Sequence, residues 1–272
     1  MSSLRGARTA VKHAALDGWF ALAGAHPFAS LQAAPPRLFG ALLRANYGSR
    51  LQAYYVASRS GPPVLFIHVP KCGGTSVGRA LGRRHTPHVP AAAFQALTPA
   101  LFERARSFAI VRDPLERLLS IFRHFGHSIF ASAEEQRRYV DLGLKADPQA
   151  AARRYLTDPA FRRRLMGGTN AGRVGFTVSQ ADYLSYHGRC LVKTLFTLDQ
   201  MAHVETWLAD ALGETVAIPW VNKTKQAPVT PSADLVALAR AAWPADYRLW
   251  EYVQAHGGLL EQAAGLPLNV SP

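Results

Sequence analysis

Several kinds of residue are scarce in this chain of 272 residues. It has only two cysteines, Cys72 and Cys190, which excludes a disulfide framework and is typical of a protein that keeps its thiols reduced in the cytoplasm. Acidic residues number 18 against 31 Lys and Arg, which gives a net charge of +13. That excess favours an anionic partner, but charge alone does not distinguish a nucleotide from nucleic acid, an acidic glycan or an acidic membrane surface.

Long uninterrupted apolar runs are also missing. The most apolar early stretch, residues 14–25, contains Asp17 and is too short to cross a membrane. The N-terminus is basic, but no signal-peptide core and cleavage pattern follows it. We therefore expect a cytoplasmic protein, and the basic arm leaves open a peripheral contact with the inner face of the membrane.

Hydrophobic residues make up 49% of the chain, enough for a large core. The breaker at residues 61–63 (GPP) divides a helical N-terminal extension, residues 1–60, from a domain of residues 61–272. Within that domain, three apolar runs alternate with helical patterns and read as buried strands: 64–69, 107–111 and 190–196. The alternation predicts an α/β fold, P-loop-like, with three α/β/α layers and a central parallel sheet of about four to five strands.

The first motif follows the first predicted strand, at residues 70–76 (PKCGGTS). Lys71 supplies a positive charge, the glycines let backbone N–H groups approach an anion, and two hydroxyls stand where a helix begins. This composition predicts a phosphate-binding loop formed by Lys71, Cys72, Gly73, Gly74, Thr75 and Ser76. In the P-loop of nucleoside triphosphate enzymes the lysine follows the glycines, whereas here it precedes them. A structural turn with the same letters is the other interpretation.

The second motif is residues 112–120 (RDPLERLLS). Arg112 stands at the end of the second predicted strand, Asp113 can cap the next helix, and Pro114 suits its first position. Ser120 follows two turns along that helix. Ligands of open α/β sheets bind at the carboxyl ends of the strands, so Arg112 and Ser120 can share a cleft with the first loop. Taken singly, they would be read as a surface salt-bridge residue and a packed helix residue.

These two motifs resemble those of the sulfotransferase superfamily. Residues 66–76 are similar to its 5′-phosphosulfate loop, and residues 108–120 are similar to its 3′-phosphate motif. Three later segments resemble the branch that contains bacterial sulfotransferases and carbohydrate 2-O- and 4-O-sulfotransferases: 180–184 (QADYL), 222–225 (NKTK) and 246–250 (DYRLW). One departure is that residues 195–197 read LFT where the branch often has Arg-Phe-Glu.

The resemblance implies a donor, 3′-phosphoadenosine 5′-phosphosulfate (PAPS), and a hydroxyl acceptor, which in this branch is a carbohydrate or glycoconjugate such as a glycolipid. It implies that Lys71 and the N–H groups of the first loop bind the 5′-phosphate, with no metal. It assigns the 3′-phosphate to Arg112 and Ser120, together with Lys223 and Lys225 of a late loop. No nucleic-acid partner is expected.

A histidine is the expected general base for the acceptor hydroxyl. Four stand near the motifs: His68, His85, His88 and His124. We favour His88, because the related carbohydrate enzymes carry their catalytic histidine in the matching stretch, with His85 next. His68 reads better as a core residue, and a loop histidine without catalytic function is the other interpretation of His88.

Two other function classes remain open from the sequence. A P-loop kinase or nucleotidase would need a lysine after the glycines and an acidic Mg²⁺ partner. A basic nucleic-acid- or membrane-binding module would rest on the net charge and on an arginine cluster that could also grip an acidic glycan or form a solvated helix face. That cluster consists of Arg153, Arg154, Arg162, Arg163, Arg164 and Arg173.

Overall fold

A five-stranded sheet flanked by helices forms the centre of the protein. The computed structural model describes residues 43–44, 48–83, 86–127, 133–144, 147–166, 178–221 and 230–268. The α/β fold class predicted from the sequence is confirmed.

The described residues form seven strands: β1 (Tyr55–Val56), β2 (Val64–Ile67), β3 (Arg106–Val111), β4 (Ser185–Tyr186), β5 (Arg189–Cys190), β6 (Thr194–Thr197) and β7 (Leu259–Leu260). The central sheet has the order β1-β2-β3-β6-β7, while β4 and β5 form a separate hairpin. Strands β2, β3 and β6 are parallel, and the two-residue edge strands β1 and β7 are antiparallel to their neighbours. The predicted parallel sheet therefore corresponds to the three central strands.

Eleven helices are present within the described ranges: α1 (Gly74–Ala80), α2 (Ala91–Leu97), α3 (Pro99–Arg104), α4 (Pro114–His127), α5 (Ala133–Asp141), α6 (Pro148–Thr157), α7 (Pro159–Met166), α8 (Gln180–Leu184), α9 (Met201–Leu212), α10 (Ala233–Ala242) and α11 (Pro244–Ala255). Two 3₁₀-helices, Gly48–Tyr54 and Leu198–Gln200, complete the order. None of the helices in this part of the chain is long and apolar enough to span a membrane.

The central strands are buried over nearly their whole length, as continuous apolar runs predict for parallel strands covered on both faces. All four residues of β2 and of β6 are buried, and so are the last five of β3. The register pairs Ile67 with Ala109 and Val111 with Thr197. The chain segments that leave β2 and β3 therefore emerge side by side at the carboxyl edge of the sheet.

The third predicted strand, residues 190–196, is only partly right. The sheet strand β6 is Thr194–Thr197, whereas Cys190 belongs to the hairpin. The Cys190 N–H donates to the Leu266 carbonyl over 2.9 Å, and the Ala263 N–H donates to the Lys193 carbonyl over 2.9 Å. The first half of the apolar run is therefore buried against the C-terminal segment instead of joining the sheet.

Residues just before the predicted domain also pack into its core. Leu43 and Leu51 are each 1% exposed and lie in the same apolar cluster as β2 and β3. Strand β1 pairs Tyr55 with Leu65. Residues 1–42, which make up most of the predicted extension, lie outside the described residues, and the division at residue 60 remains a prediction.

The burial of Leu51 gives a test of how far the folded unit extends. Leu51→Ala should lower the free energy of unfolding by about 2–5 kcal/mol, because it removes buried methyl groups and leaves a cavity. The exposed neighbour Gln52 provides the matched control, and Gln52→Ala should change that free energy by less than about 0.5 kcal/mol. Urea unfolding measures both. Equal small effects would show that this segment does not contribute to the core.

Candidate functional site

The lysine of the first motif, Lys71, follows the carboxyl end of β2 after three intervening residues. Its backbone is left-handed, with φ 67°, a conformation that costs a non-glycine residue about 1 kcal/mol or more. Gly73 is also left-handed, with φ 76°, and an added Cβ would lie 2.8 Å from Leu198 Cδ1. The loop thus makes a tight turn into α1 that requires glycine at position 73.

Lys71 and Arg112 both follow strands at the carboxyl edge of the sheet, near enough for the charge of Arg112 to act on Lys71. Burial, followed by the charge of Arg112, lowers the pKa of Lys71 to about 8. Arg112 also forms an ion pair with Glu116 at 3.3 Å. An anion bound beside these two cations would offset their repulsion.

The side chain of Gln180 joins the two loops. Its Oε1 accepts hydrogen bonds from the Arg112 N–H over 2.9 Å and from the Cys72 thiol over 3.4 Å. Its Nε2 donates to the Arg112 carbonyl over 2.8 Å. Gln180 is fully buried, so one amide satisfies both backbone groups of Arg112 and fixes the spacing of the loops. Burial raises the pKa of the Cys72 thiol to about 11, which keeps it protonated as the donor in this contact.

Two buried ionisable side chains, Asp246 and Arg117, hold the segments on either side of this bridge. Both carboxylate oxygens of Asp246 accept backbone N–H groups at the start of α8, from Gln180 and Ala181, each over 2.9 Å. Arg117 is 3% exposed, and its Nε donates to the Pro70 carbonyl over 3.0 Å. Burial raises the pKa of Asp246, and the charge of Arg117 opposes that rise.

His88 lies beside the same loop. Its Nδ1 is 3.4 Å from the His68 carbonyl, and the centroids of the two imidazole rings are 4.2 Å apart. The pKa of His88 is lowered to about 4, mainly by burial and also by the charges of Arg117 and Lys71, while the hydrogen bond to the His68 carbonyl opposes the shift. A neutral imidazole at neutral pH can accept a proton, as a general base must.

The segment that leads into the late loop also contacts the first motif. The Val221 N–H donates to the Ser76 hydroxyl over 3.2 Å, and the Ile218 N–H donates to Glu205 over 3.0 Å. Residues 213–221 therefore return from the end of α9 to the first loop. Lys223 and Lys225 follow directly but lie outside the described residues, so their assignment remains a prediction.

The remaining predicted site residues differ in how far they are exposed to solvent. Thr75 is exposed and Ser120 half-buried on α4. His124 is also half-buried on α4, with its ring centroid 6.2 Å from that of Phe125. His68 is 7% exposed, in agreement with its interpretation as a core residue. His85 lies outside the described residues.

Two arginines of the basic cluster make contacts between helices. Arg153 pairs with Asp234 at 2.5 Å, and Arg154 lies over the Phe161 ring at 4.5 Å from its centroid. Arg173 and the side chain of Arg163 lie outside the described part. No group of three His, Cys, Asp or Glu side chains in the described ranges is arranged to hold a metal ion.

No local sequence pattern assigns a role to Arg117, Gln180 or Asp246. Arg117 sits inside the second motif but reads as a surface charge on a helix. Gln180 and Asp246 stand 68 and 134 residues after Arg112 in the chain, and their only signal is the similarity of the segments that contain them.

Because the Gln180 side chain connects the two loops, its removal should strongly lower the free energy of unfolding. Gln180→Leu leaves the Arg112 N–H and carbonyl without this partner, and each unsatisfied buried group costs about 1–3 kcal/mol. We expect a loss of about 2–5 kcal/mol in the free energy of unfolding, measured with urea. The same change at the exposed Gln95 of α2 should have little effect. Equal losses at both positions would contradict the role of the bridge.

The comparisons with known proteins agree with this geometry. No curated protein and no solved structure matches the chain. A model of the sulfotransferase family matches residues 54–212, more than half of the 272 residues. The match begins just before β1, ends with α9, and includes both loops and Gln180. The chain therefore belongs to the sulfotransferase family, whose reaction is the transfer of a sulfuryl group.

Proposed function

We propose that this sulfotransferase transfers the sulfuryl group of PAPS to a hydroxyl of a carbohydrate or glycoconjugate. The proposal depends on one observation: Lys71 and Arg112 lie on two loops that the Gln180 side chain connects by hydrogen bonds. PAPS has separate 5′- and 3′-phosphate groups, and such a donor requires two anion-binding groups at a fixed spacing. A triphosphate chain instead requires one continuous cradle with the lysine after the glycines.

In the proposed reaction, the acceptor oxygen attacks the sulfur atom in line with the bond to the 5′-phosphate. A new S–O bond forms, the bridging S–O bond breaks, and the products are a sulfate ester and adenosine 3′,5′-bisphosphate. Negative charge develops on the bridging oxygen as that bond breaks. Lys71 neutralises this charge, and the N–H groups of Gly73, Gly74 and Thr75 bind the 5′-phosphate.

The 3′-phosphate is assigned to Arg112 and Ser120, with Lys223 and Lys225 of the late loop. A guanidinium group suits a phosphate dianion because it can donate two parallel hydrogen bonds. The bond from Val221 to Ser76 supports a late loop that starts beside the donor. Burial and the charge of Arg112 lower the pKa of Lys71, and a bound phosphate would oppose that shift by stabilising the charged amine.

His88 takes the proton of the acceptor hydroxyl. Its Nδ1 faces a carbonyl, which can only accept, so the proton of the neutral ring belongs on Nδ1 and Nε2 is the basic nitrogen. The choice of a carbohydrate acceptor rests on the similarity to the 2-O- and 4-O-type branch. Two of the segments similar to that branch, 180–184 and 246–250, contain Gln180 and Asp246, whose hydrogen bonds hold the two loops in place.

Nucleotide preference tests the donor. Calorimetry should show adenosine 3′,5′-bisphosphate binding more tightly than ATP–Mg²⁺, and Arg112→Ala should weaken the bisphosphate about 10–100-fold, as loss of a charge-assisted contact does. Arg106, at the opposite end of β3 and paired with Asp210, is the matched control, and Arg106→Ala should leave the affinity unchanged. Preference for ATP–Mg²⁺ would indicate a kinase, and binding of neither nucleotide would indicate a basic binding module.

The general base is tested by His88→Ala. Transfer of labelled sulfuryl to a panel of glycan, lipid and peptide acceptors should fall about 10²–10⁴-fold, while the affinity for adenosine 3′,5′-bisphosphate is kept. Because its pKa is lowered to about 4, His88 is uncharged at pH 6, where an ordinary imidazole with a pKa near 6.5 is mostly protonated. Wild-type turnover should therefore persist at pH 6. Unchanged turnover in His88→Ala, with loss in His124→Ala, would move the assignment to His124.

A further inference from the structure

His68 is a buried side chain for which the proposed mechanism has no use. It follows β2, is 7% exposed, and stacks on Phe66 with ring centroids 5.5 Å apart. Burial lowers its pKa to about 3, so the ring is neutral. A buried imidazole in a core needs hydrogen-bond partners. The partner of this one is Thr86, and its ring packs against residues 70–76, here called the donor loop.

The ring of His68 packs directly on Gly74 of the donor loop. A Cβ at Gly74 would overlap the imidazole, and the ring atom nearest to it is Nε2. The φ of Gly74 is not in the left-handed region, so backbone conformation does not require glycine here. Close approach of the His68 ring accounts for the glycine, and the ring in turn limits the position of this part of the loop.

Thr86 fixes the orientation of that ring. Its hydroxyl oxygen is 2.7 Å from His68 Nδ1 and 3.4 Å from the Gly74 carbonyl, and its own carbonyl is 3.1 Å from Nδ1. One arrangement of protons satisfies these contacts: the Nδ1–H donates to Thr86, and the Thr86 hydroxyl donates to Gly74. Thr86 and His68 therefore hold Gly74 as one unit.

His68 also contacts the residue assigned as the base, through its carbonyl and through its ring. We infer that His68 is a positioning residue that sets Gly74 for the 5′-phosphate of the donor and, on its other side, orients His88. This inference rests on the proposed function, because it assumes that the 5′ group of PAPS binds this loop. His68 itself acts through Gly74 and His88 and does not contact the reacting atoms.

Two nucleotide probes separate positioning from general damage to the fold. Adenosine 3′,5′-bisphosphate has the 5′-phosphate, and adenosine 3′-monophosphate does not. In calorimetry, His68→Ala should weaken the bisphosphate about tenfold, the equivalent of one or two lost hydrogen bonds, and should leave the monophosphate within about twofold. Thr86→Val, which keeps the side-chain shape, should also weaken the bisphosphate and not the monophosphate. In the double variant, the loss of affinity for the bisphosphate should be smaller than the product of the two single losses.

Thr98→Val is the matched control. The Thr98 hydroxyl is also buried and hydrogen-bonded, to the Phe94 carbonyl over 2.8 Å and to the Tyr55 hydroxyl at 2.7 Å. Thr98 follows α2 in the chain, and neither of these bonds involves His68 or the donor loop. It should lower stability without changing either affinity.

Equal weakening of both probes by His68→Ala and Thr86→Val would overturn the inference, and so would no change in either probe. If His68→Ala does not fold, Thr86→Val decides alone. Failure of the donor assignment gives a different result, since the wild-type protein would then bind the two nucleotides equally. In that case the inference falls together with the proposed function.

Discussion

The hydrogen bonds of the Gln180 side chain are the constraint on which the candidate site depends. Lys71 and Arg112 belong to separate loops, and their cationic side chains repel each other. A flexible connection would let the loops separate. The buried amide of Gln180 holds both backbone groups of Arg112 and the thiol of Cys72 at once. Its own position is fixed by Asp246, which binds the first N–H groups of α8.

This arrangement distributes the positioning of the site over distant parts of the chain. The sheet brings the ends of β2 and β3 side by side, Arg117 holds the Pro70 carbonyl, and α11 supplies Asp246 from near the C-terminus. Each contact is buried, where a hydrogen bond is stronger and a missing partner is more costly than in water. The family match covers residues 54–212, so Asp246 extends the supporting network beyond the matched region.

The sequence was most informative where one local pattern determines the structure. Apolar runs predicted β2 and β3, and Asp113 caps α4 as its position before Pro114 suggests, accepting the Glu116 N–H over 2.8 Å. The composition of residues 70–76 predicted a phosphate-binding loop, a function that stays a prediction, and the fold places this loop near Arg112. The third strand was misplaced because residues 190–196 form one apolar run in the sequence. In the fold, the start of that run belongs to the hairpin and only its end joins the central sheet. The roles of Gln180 and Asp246 depend on contacts between distant segments, which no local pattern contains.

The left-handed backbone of Lys71 has a consequence for the evolution of this loop. Glycine is the residue that would occupy that conformation without steric cost, yet glycine has no amine to place at the carboxyl edge of the sheet. Under the proposed function, the amine of Lys71 serves the donor while the backbone of this turn would favour glycine, so stability and chemistry would make opposite demands on a single position.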